Sequence, residues 1–150
     1  MWWAGEFILA DLPGYGFARV SKTEKEKWAK TLDAFFKNKD QIAHVFMLAD
    51  SRHDPTADDV QMLQFLHYHT LPFTVVLTKA DKLSKMKLKE HIRAIAADLY
   101  LGVENLLATS AETGYGKADV LQKIKEVIAI STEPNEEFED EEDDEIEGVE

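Results

Sequence analysis

Cysteine is absent from the 150-residue sequence, so disulfide bonds and thiolate metal sites are excluded. Long hydrophobic runs are also missing, because no stretch approaches the roughly 20 apolar residues of a membrane-spanning helix. The N-terminus lacks the basic and small-residue flanks of a secretory signal peptide. We therefore expect a cytoplasmic protein that does not enter a membrane.

Lysine and arginine are absent from residues 133–150, which carry 12 of the 29 acidic residues. The other 17 acids balance the 17 bases, so the net charge of −12 belongs to this segment alone. A dense acidic run with one aromatic residue, Phe138, buries too little apolar surface to offset its ordering entropy. We predict a folded domain over residues 1–132 and a disordered acidic tail over 133–150. The tail serves as a solubilising terminus, as an arm for basic partners, or as a shield that keeps wrong contacts from a nucleic-acid-binding face.

Four short, continuous apolar runs are typical of strands buried on both faces of a parallel sheet. These runs are Glu6–Ala10, His44–Ala49, Phe73–Leu77 and Leu106–Thr109. An amphipathic helical pattern follows each run, and the first pattern opens on a capping box at Ser21–Glu24. The alternation predicts an α/β fold with a layered, mostly parallel sheet and right-handed crossovers.

Polar residues follow each predicted strand, at the edge where open α/β sheets bind ligands. Asp11-Leu12-Pro13-Gly14 follows the first strand, Thr78-Lys79-Ala80-Asp81 the third and Thr109-Ser110-Ala111 the fourth. The first motif suits a metal–phosphate site, because its carboxylate reaches Mg²⁺ through water and its glycine amide approaches a phosphate. On its own, the same tetrapeptide is also common in simple turns.

The motif after the third strand fits guanine recognition. The Asp81 carboxylate would accept two hydrogen bonds from N1 and N2 of guanine, which adenine cannot donate, while the stem of Lys79 packs beside the base. A backbone amide of Ser110 or Ala111 would face guanine O6. The three motifs together, in this order and each at a strand end, are more specific than any one of them.

These motifs resemble those of P-loop GTPases, with Asp11–Gly14 as the third motif, Thr78–Asp81 as the fourth and Thr109–Ala111 as the fifth. Longer strings resemble the EngB-type (YihA/YsxC) GTP-binding proteins over about residues 6–130. The strings are DLPGYGFARVSK at 11–22, DSRHDPT at 50–56 and SAETGYGK at 110–117.

The resemblance implies a Ras-like three-layer fold that binds GTP or GDP with Mg²⁺ and hydrolyses GTP slowly. In it, Asp11 would be the metal-side carboxylate, and residues 11–14, 78–81 and 109–111 would contact the nucleotide. The family further implies a role in large ribosomal subunit assembly, cell division and growth. The protein would be a monomer, and its partners would be ribosomal RNA and ribosomal proteins.

The fourth motif carries Thr78 where most GTPases have asparagine, but the EngB-type family commonly has threonine there, so this departure costs little. Two other features bear on activity. No Gly-x-x-x-x-Gly-Lys-Ser/Thr loop occurs in the sequence, so we expect the P-loop strand, the first helix and the switch I segment to be missing. The missing strand would lie between those ending at Ala10 and Ala49, and its loss should expose apolar strand edges. Tyr15 stands where Ras-like enzymes carry a water-orienting glutamine. We expect weak nucleotide binding; the alternative is an inactive fragment or a nucleotide-free module that contacts the ribosome.

A run of cations accompanies the motif after the third strand. We expect either a solvated helix face or a contact for RNA phosphates, whose charges such a run would neutralise. The run consists of Lys79, Lys82, Lys85, Lys87, Lys89 and Arg93.

Overall fold

The computed structural model describes residues 2–3, 7–12, 14 and 21–132. The predicted acidic tail and Pro13 lie outside these residues. The elements of the described part follow in chain order. They are β1 (Trp2–Trp3), β2 (Ile8–Leu9), α1 (Lys22–Phe36), β3 (Val45–Asp50), α2 (Ala57–Tyr68), β4 (Phe73–Thr78), α3 (Lys85–Asp98), β5 (Leu106–Ala108) and α4 (Lys117–Thr132).

A three-stranded parallel sheet in the order β3-β4-β5 forms the centre of the fold. Val45 pairs with Phe73 at the start of β3 and β4, and Val75 pairs with Leu106 at the start of β5. The helix α2 crosses from β3 to β4, and α3 crosses from β4 to β5. The predicted α/β fold with a parallel sheet is therefore confirmed.

The first predicted strand, Glu6–Ala10, takes a different form from the one expected. Glu6 lies outside the described residues; among residues 7–10, Ile8–Leu9 forms a strand that pairs antiparallel with β1 instead of joining the parallel sheet. Ile8 is 61% exposed and Leu9 47% exposed, so this strand is not buried on both faces. The described sheet offers β2 no parallel neighbour, and its backbone groups pair with the nearby β1 instead.

Side-chain caps explain where the first three helices begin. The Ser21 hydroxyl accepts from the Glu24 amide while the Glu24 carboxylate accepts from the Ser21 amide, which completes the predicted capping box. Thr56 and Asp59 form the same reciprocal pair at the start of α2. The Ser84 hydroxyl accepts from the Lys87 amide at the start of α3.

The core lies between the parallel sheet and the helices that cover it. Strand β4 is the central strand of the described sheet and is buried on both faces over residues 74–77, as predicted. Strand β3 lies at an edge of the described sheet and is less buried, with Met47 buried and Leu48 60% exposed. The exposure of apolar strand edges stays a prediction. The buried core residues include Leu32, Phe36, Leu63, Leu66, Leu71, Val75, Leu77, Ile95, Leu99 and Leu106.

None of the helices in the described part of the chain combines the length and the apolar character that crossing a membrane requires.

Candidate functional site

The turns that follow β4 and β5 are joined by backbone hydrogen bonds. The Ala80 amide donates to the Thr109 carbonyl at 2.9 Å, and the Thr109 amide donates to the Leu77 carbonyl at 2.7 Å. Because the strands are parallel and adjacent, their carboxyl ends open on the same edge of the sheet. The structure thereby brings the predicted motifs 78–81 and 109–111 together.

Asp81 links the two turns through its side chain. The Ser110 hydroxyl donates to Oδ1 at 2.6 Å, and Lys82 Nζ lies 2.9 Å from Oδ2. These contacts, the Ser110 hydrogen bond foremost, lower the pKa of Asp81 to about 2. The carboxylate is therefore ionised at neutral pH. It retains unused lone pairs and 12% side-chain exposure, so it can accept further N–H donors.

Lys79 is held at the same edge by Asp50, the last residue of β3. Its Nζ lies 2.9 Å from Asp50 Oδ2, while the Arg52 guanidinium donates to both oxygens of that carboxylate. The hydrogen bonds from Arg52, and then from Lys79, hold the pKa of Asp50 well below its usual range. Lys79 itself adopts a left-handed backbone conformation with φ +61°. The ion pair with Asp50 therefore holds the side chain of Lys79, the residue that the sequence predicts beside the base.

Asp50, Lys82 and Glu112 belong to the strand-end strings and the cation run of the sequence, but the sequence predicted no contact of theirs with the nucleotide. Lys82 Nζ bridges Asp81 and Glu112, at 2.9 Å and 2.8 Å. Their signal in the sequence was position alone, since Asp50 ends a strand and Glu112 follows the predicted motif directly. Ion pairing between side chains of different turns is not visible in a linear sequence.

Thr78 has a structural part at the end of β4. Its hydroxyl donates to the Ala49 carbonyl at 3.1 Å, and its own carbonyl accepts from the Ser51 amide at 3.0 Å. Both bonds tie the end of β4 to the end of β3. Thr78 therefore supports the turn that presents Lys79 and Asp81.

Ser110 is held in place by the turn that follows it. Its amide donates to the Tyr115 carbonyl at 3.0 Å, and its hydroxyl accepts from the Thr113 amide at 3.1 Å. Gly116 closes this turn with φ +72°, and a Cβ at that position would collide with the Ala108 carbonyl oxygen. The buried Ser110 is thus oriented toward Asp81 by the turn, while Ala111 lies exposed at its tip.

The motif at 11–14 is described except for Pro13. Leu12 packs against the core, whereas Asp11 and Gly14 are exposed. Within the described ranges, no hydrogen bond or ion pair joins Asp11 to Asp81 or Ser110, and no three carboxylates or histidines cluster as a metal cage. One carboxylate fits Mg²⁺ only as part of a shell that water and phosphate oxygens complete.

Comparison with known proteins identifies relatives for most of the chain, although no family model matches it. A probable GTP-binding protein EngB of Geobacillus sp. (strain WCH70) is 42% identical over 114 residues, which cover 75% of this chain and 59% of the relative. The Bacillus subtilis (strain 168) protein of that name is 39% identical over 124 residues, which cover 82% of this chain and 64% of the relative. The probable GTP-binding protein EngB of Pelotomaculum thermopropionicum is 40% identical over 128 residues, which cover 85% of this chain and 65% of the relative.

The chain thus spans less than two thirds of the length of each of these relatives. A crystal structure of a probable GTP-binding protein engB superposes with a TM-score of 0.67 over 80% of this chain and 75% of the other, at 23% identity. That likeness shows the shared fold. Identity near 40% over at least three quarters of its residues shows that the chain belongs to the EngB family.

Proposed function

We propose that this chain carries the guanine-recognition part of a GTP-binding protein. The observation that supports this proposal is the ionised Asp81 carboxylate, held by Ser110 at the ends of two adjacent parallel strands. Asp81 would accept hydrogen bonds from guanine N1 and N2. The Ala111 amide would donate to O6, because the Ser110 amide already donates to the Tyr115 carbonyl. The stem of Lys79 would lie beside the base, in a turn that Thr78 and Ala80 support.

The phosphate side of the proposed site depends on the motif at 11–14. Asp11 would act as the carboxylate on the Mg²⁺ side, and the Gly14 amide would lie near the terminal phosphate. Backbone amides of a P-loop and its lysine supply most phosphate affinity in this architecture, and the sequence contains no such loop. The 150-residue chain should therefore bind GDP and GTP more weakly than micromolar.

The test is a titration of the 150-residue chain with GDP, ADP and xanthosine diphosphate, followed by amide NMR shifts. We expect GDP to shift the amides of 79–81 and 109–111 at millimolar concentration, with smaller effects of ADP. The Asp81→Asn variant should lose the preference for GDP and favour the xanthine nucleotide, because the amide donates where the carboxylate accepted. The control is Asp98→Asn, the same change at an exposed position on α3.

Three outcomes would contradict the proposal. GDP and ADP could shift the same amides equally, which would remove guanine selectivity. Selectivity could be unchanged in Asp81→Asn, which would remove the role assigned to Asp81. Micromolar or tighter GDP affinity would refute the predicted weakness of binding and leave the base contacts standing.

We also propose that the chain acts with the large ribosomal subunit, in its assembly and hence in cell growth and division. The support is membership of the EngB family together with the family resemblance of the motifs. Any hydrolysis of GTP would be slow, since Tyr15 replaces a water-orienting glutamine. Cosedimentation with purified large subunits, with and without GDP, tests the partner. Equal binding in both cases would favour the nucleotide-free interaction module, and no binding would exclude the partner.

A further inference from the structure

An open groove of about 830 Å³ lies beside the Asp81 turn. Apolar side chains of α3 and of the segments around it line this groove, among them Leu83, Leu88, Ile92 and Val103. Tyr115 also lines it and is 55% exposed, as Val103 is at 52%. Such a cluster of partly exposed apolar side chains is typical of a surface that binds a partner.

Three cations of α3 line the same groove. Lys85, Lys89 and Arg93 follow one another at intervals of four residues, so they share one face of the helix. All three are exposed, and in the part of the chain that the structure describes they form no ion pair. The earlier cations of the same run differ, because Lys79 is paired with Asp50 and Lys82 with Asp81 and Glu112.

The placement of these cations is electrostatically unfavourable in the described structure. Lys85 and Lys89 lie in the first two turns of α3, where the helix dipole is positive, and no acidic residue occurs in the first turn. Like charges four residues apart on a helix also repel each other. An anionic ligand with apolar side chains would relieve both effects and cover the apolar lining. Among the lining residues that the structure describes, it would meet repulsion only from the Asp81 carboxylate.

We propose that this groove binds the acidic segment 133–150 of the same chain. The segment contributes 12 carboxylates and no cation to pair with Lys85, Lys89 and Arg93. It also carries Ile146, which is far enough beyond Thr132 for its side chain to cover the apolar floor. A nucleic acid could neutralise the cations, but it would not match the aliphatic side chains between them.

The segment is long enough to reach the groove. The helix α4 begins at Lys117, two residues after Tyr115, and ends at Thr132. Its 16 residues extend about 24 Å at 1.5 Å per residue. The following 18 residues span up to about 59 Å when extended, which exceeds the return distance even if α4 points directly away. Tethering would hold the segment near the groove at about millimolar effective concentration.

The experiment uses the full chain and no nucleotide, so its result is independent of the proposed guanine site. Because the sequence has no cysteine, a nitroxide can be attached at Gly148→Cys alone. Paramagnetic relaxation of the amide signals then reports where residue 148 lies. We expect severalfold stronger relaxation at amides 85–93, 103 and 115 than at those of α1, and loss of this contrast at high salt.

A charge-reversed variant tests the cations directly. In K85E/K89E/R93E the localised relaxation should disappear. The matched control K27E/K30E/K37E makes the same charge change at exposed positions in α1 and at its C-terminal end. This control should retain the localised relaxation. Ile146→Ser should weaken the relaxation severalfold, because its side chain covers the apolar floor.

Other results would overturn the proposal. Uniform relaxation of the wild-type chain, or relaxation that both triple variants lose equally, would show that the segment does not bind at this groove. If a short single-stranded RNA shifts the groove amides while the label relaxes none of them selectively, the groove is a nucleic-acid surface instead.

Discussion

The Ser110 hydroxyl donates a 2.6 Å hydrogen bond to Oδ1 of Asp81 and so couples the turns after two neighbouring strands. The same hydroxyl accepts from the Thr113 amide, which fixes its orientation. Ser110 is buried, so this coupling is shielded from water. One side chain therefore both lowers the pKa of the carboxylate and bonds to the backbone of the second turn.

Ser110→Ala should raise the pKa of Asp81 from about 2 toward its ordinary 3.8, because the hydrogen bond that favours the ionised form is lost. The melting temperature should fall by a few degrees, since the Thr113 amide also loses its acceptor. Carbon-detected NMR titration of the aspartate carboxyl measures the pKa, and calorimetry measures the melting temperature. Ser131→Ala, at an exposed helix hydroxyl, is the control. An unchanged pKa would show that Lys82 alone lowers it.

The low pKa of Asp81 predicts a pH dependence of stability. Its folded-state pKa of about 2 lies below the ordinary 3.8, so the unfolded chain binds the proton more readily. The stabilisation is fully present above pH 3.8 and is lost as the pH falls through about 2. Urea unfolding of Asp81→Asn between these values should show a shallower rise of unfolding free energy with pH than the wild type. The same slope change in Asp98→Asn would contradict this assignment.

Gly116→Ala should destabilise the fold more than Gly114→Ala. Both glycines have positive φ, +72° and +76°, so either alanine costs about 1–2 kcal/mol of backbone strain. At Gly116 the new Cβ also collides with the Ala108 carbonyl oxygen, whereas at Gly114 no atom lies within 4 Å. We expect a loss of about 3 kcal/mol or more for Gly116→Ala. Equal losses in denaturant unfolding would show that the turn relaxes away from β5.

Leu66→Ala should lower the unfolding free energy by about 2–5 kcal/mol, because Leu66 has no exposed surface and the substitution leaves a cavity in the core. Leu48→Ala removes the same atoms from a strand position that is 60% exposed, so its cost should stay within about 0.5 kcal/mol. Urea unfolding of both variants gives the comparison. A large loss at Leu48 would mean that this face of β3 is covered in solution.

The sequence predicted those parts of the fold that depend on local pattern. Strands β3, β4 and β5 were predicted because buried parallel strands are continuous apolar runs, and α1 because its capping box is a local signal. The run at Glu6–Ala10 has the same composition, yet Ile8 and Leu9 pair antiparallel and remain exposed. Burial of a strand's side chains requires other elements to pack on its faces, and a pattern within one strand does not indicate whether those elements exist.

The candidate site was predicted to a similar extent. The meeting of Asp81 with Ser110 followed from the rule that parallel strand ends share an edge. The pairing of Lys79 with Asp50 did not, because it depends on the strand register and on the left-handed conformation of Lys79. Such contacts arise from the geometry of turns, which residue spacing specifies poorly.

The strand order has a consequence for how the chain folds. In the parallel sheet each strand pairs with the one made just before it, since Val45 pairs with Phe73 and Val75 with Leu106. These partners are 73 − 45 = 28 and 106 − 75 = 31 residues apart. Each strand and its crossover helix can therefore dock as soon as they are synthesised, without waiting for a distant segment. The sheet can grow in one direction as the ribosome translates it, with β4 as the template for β5.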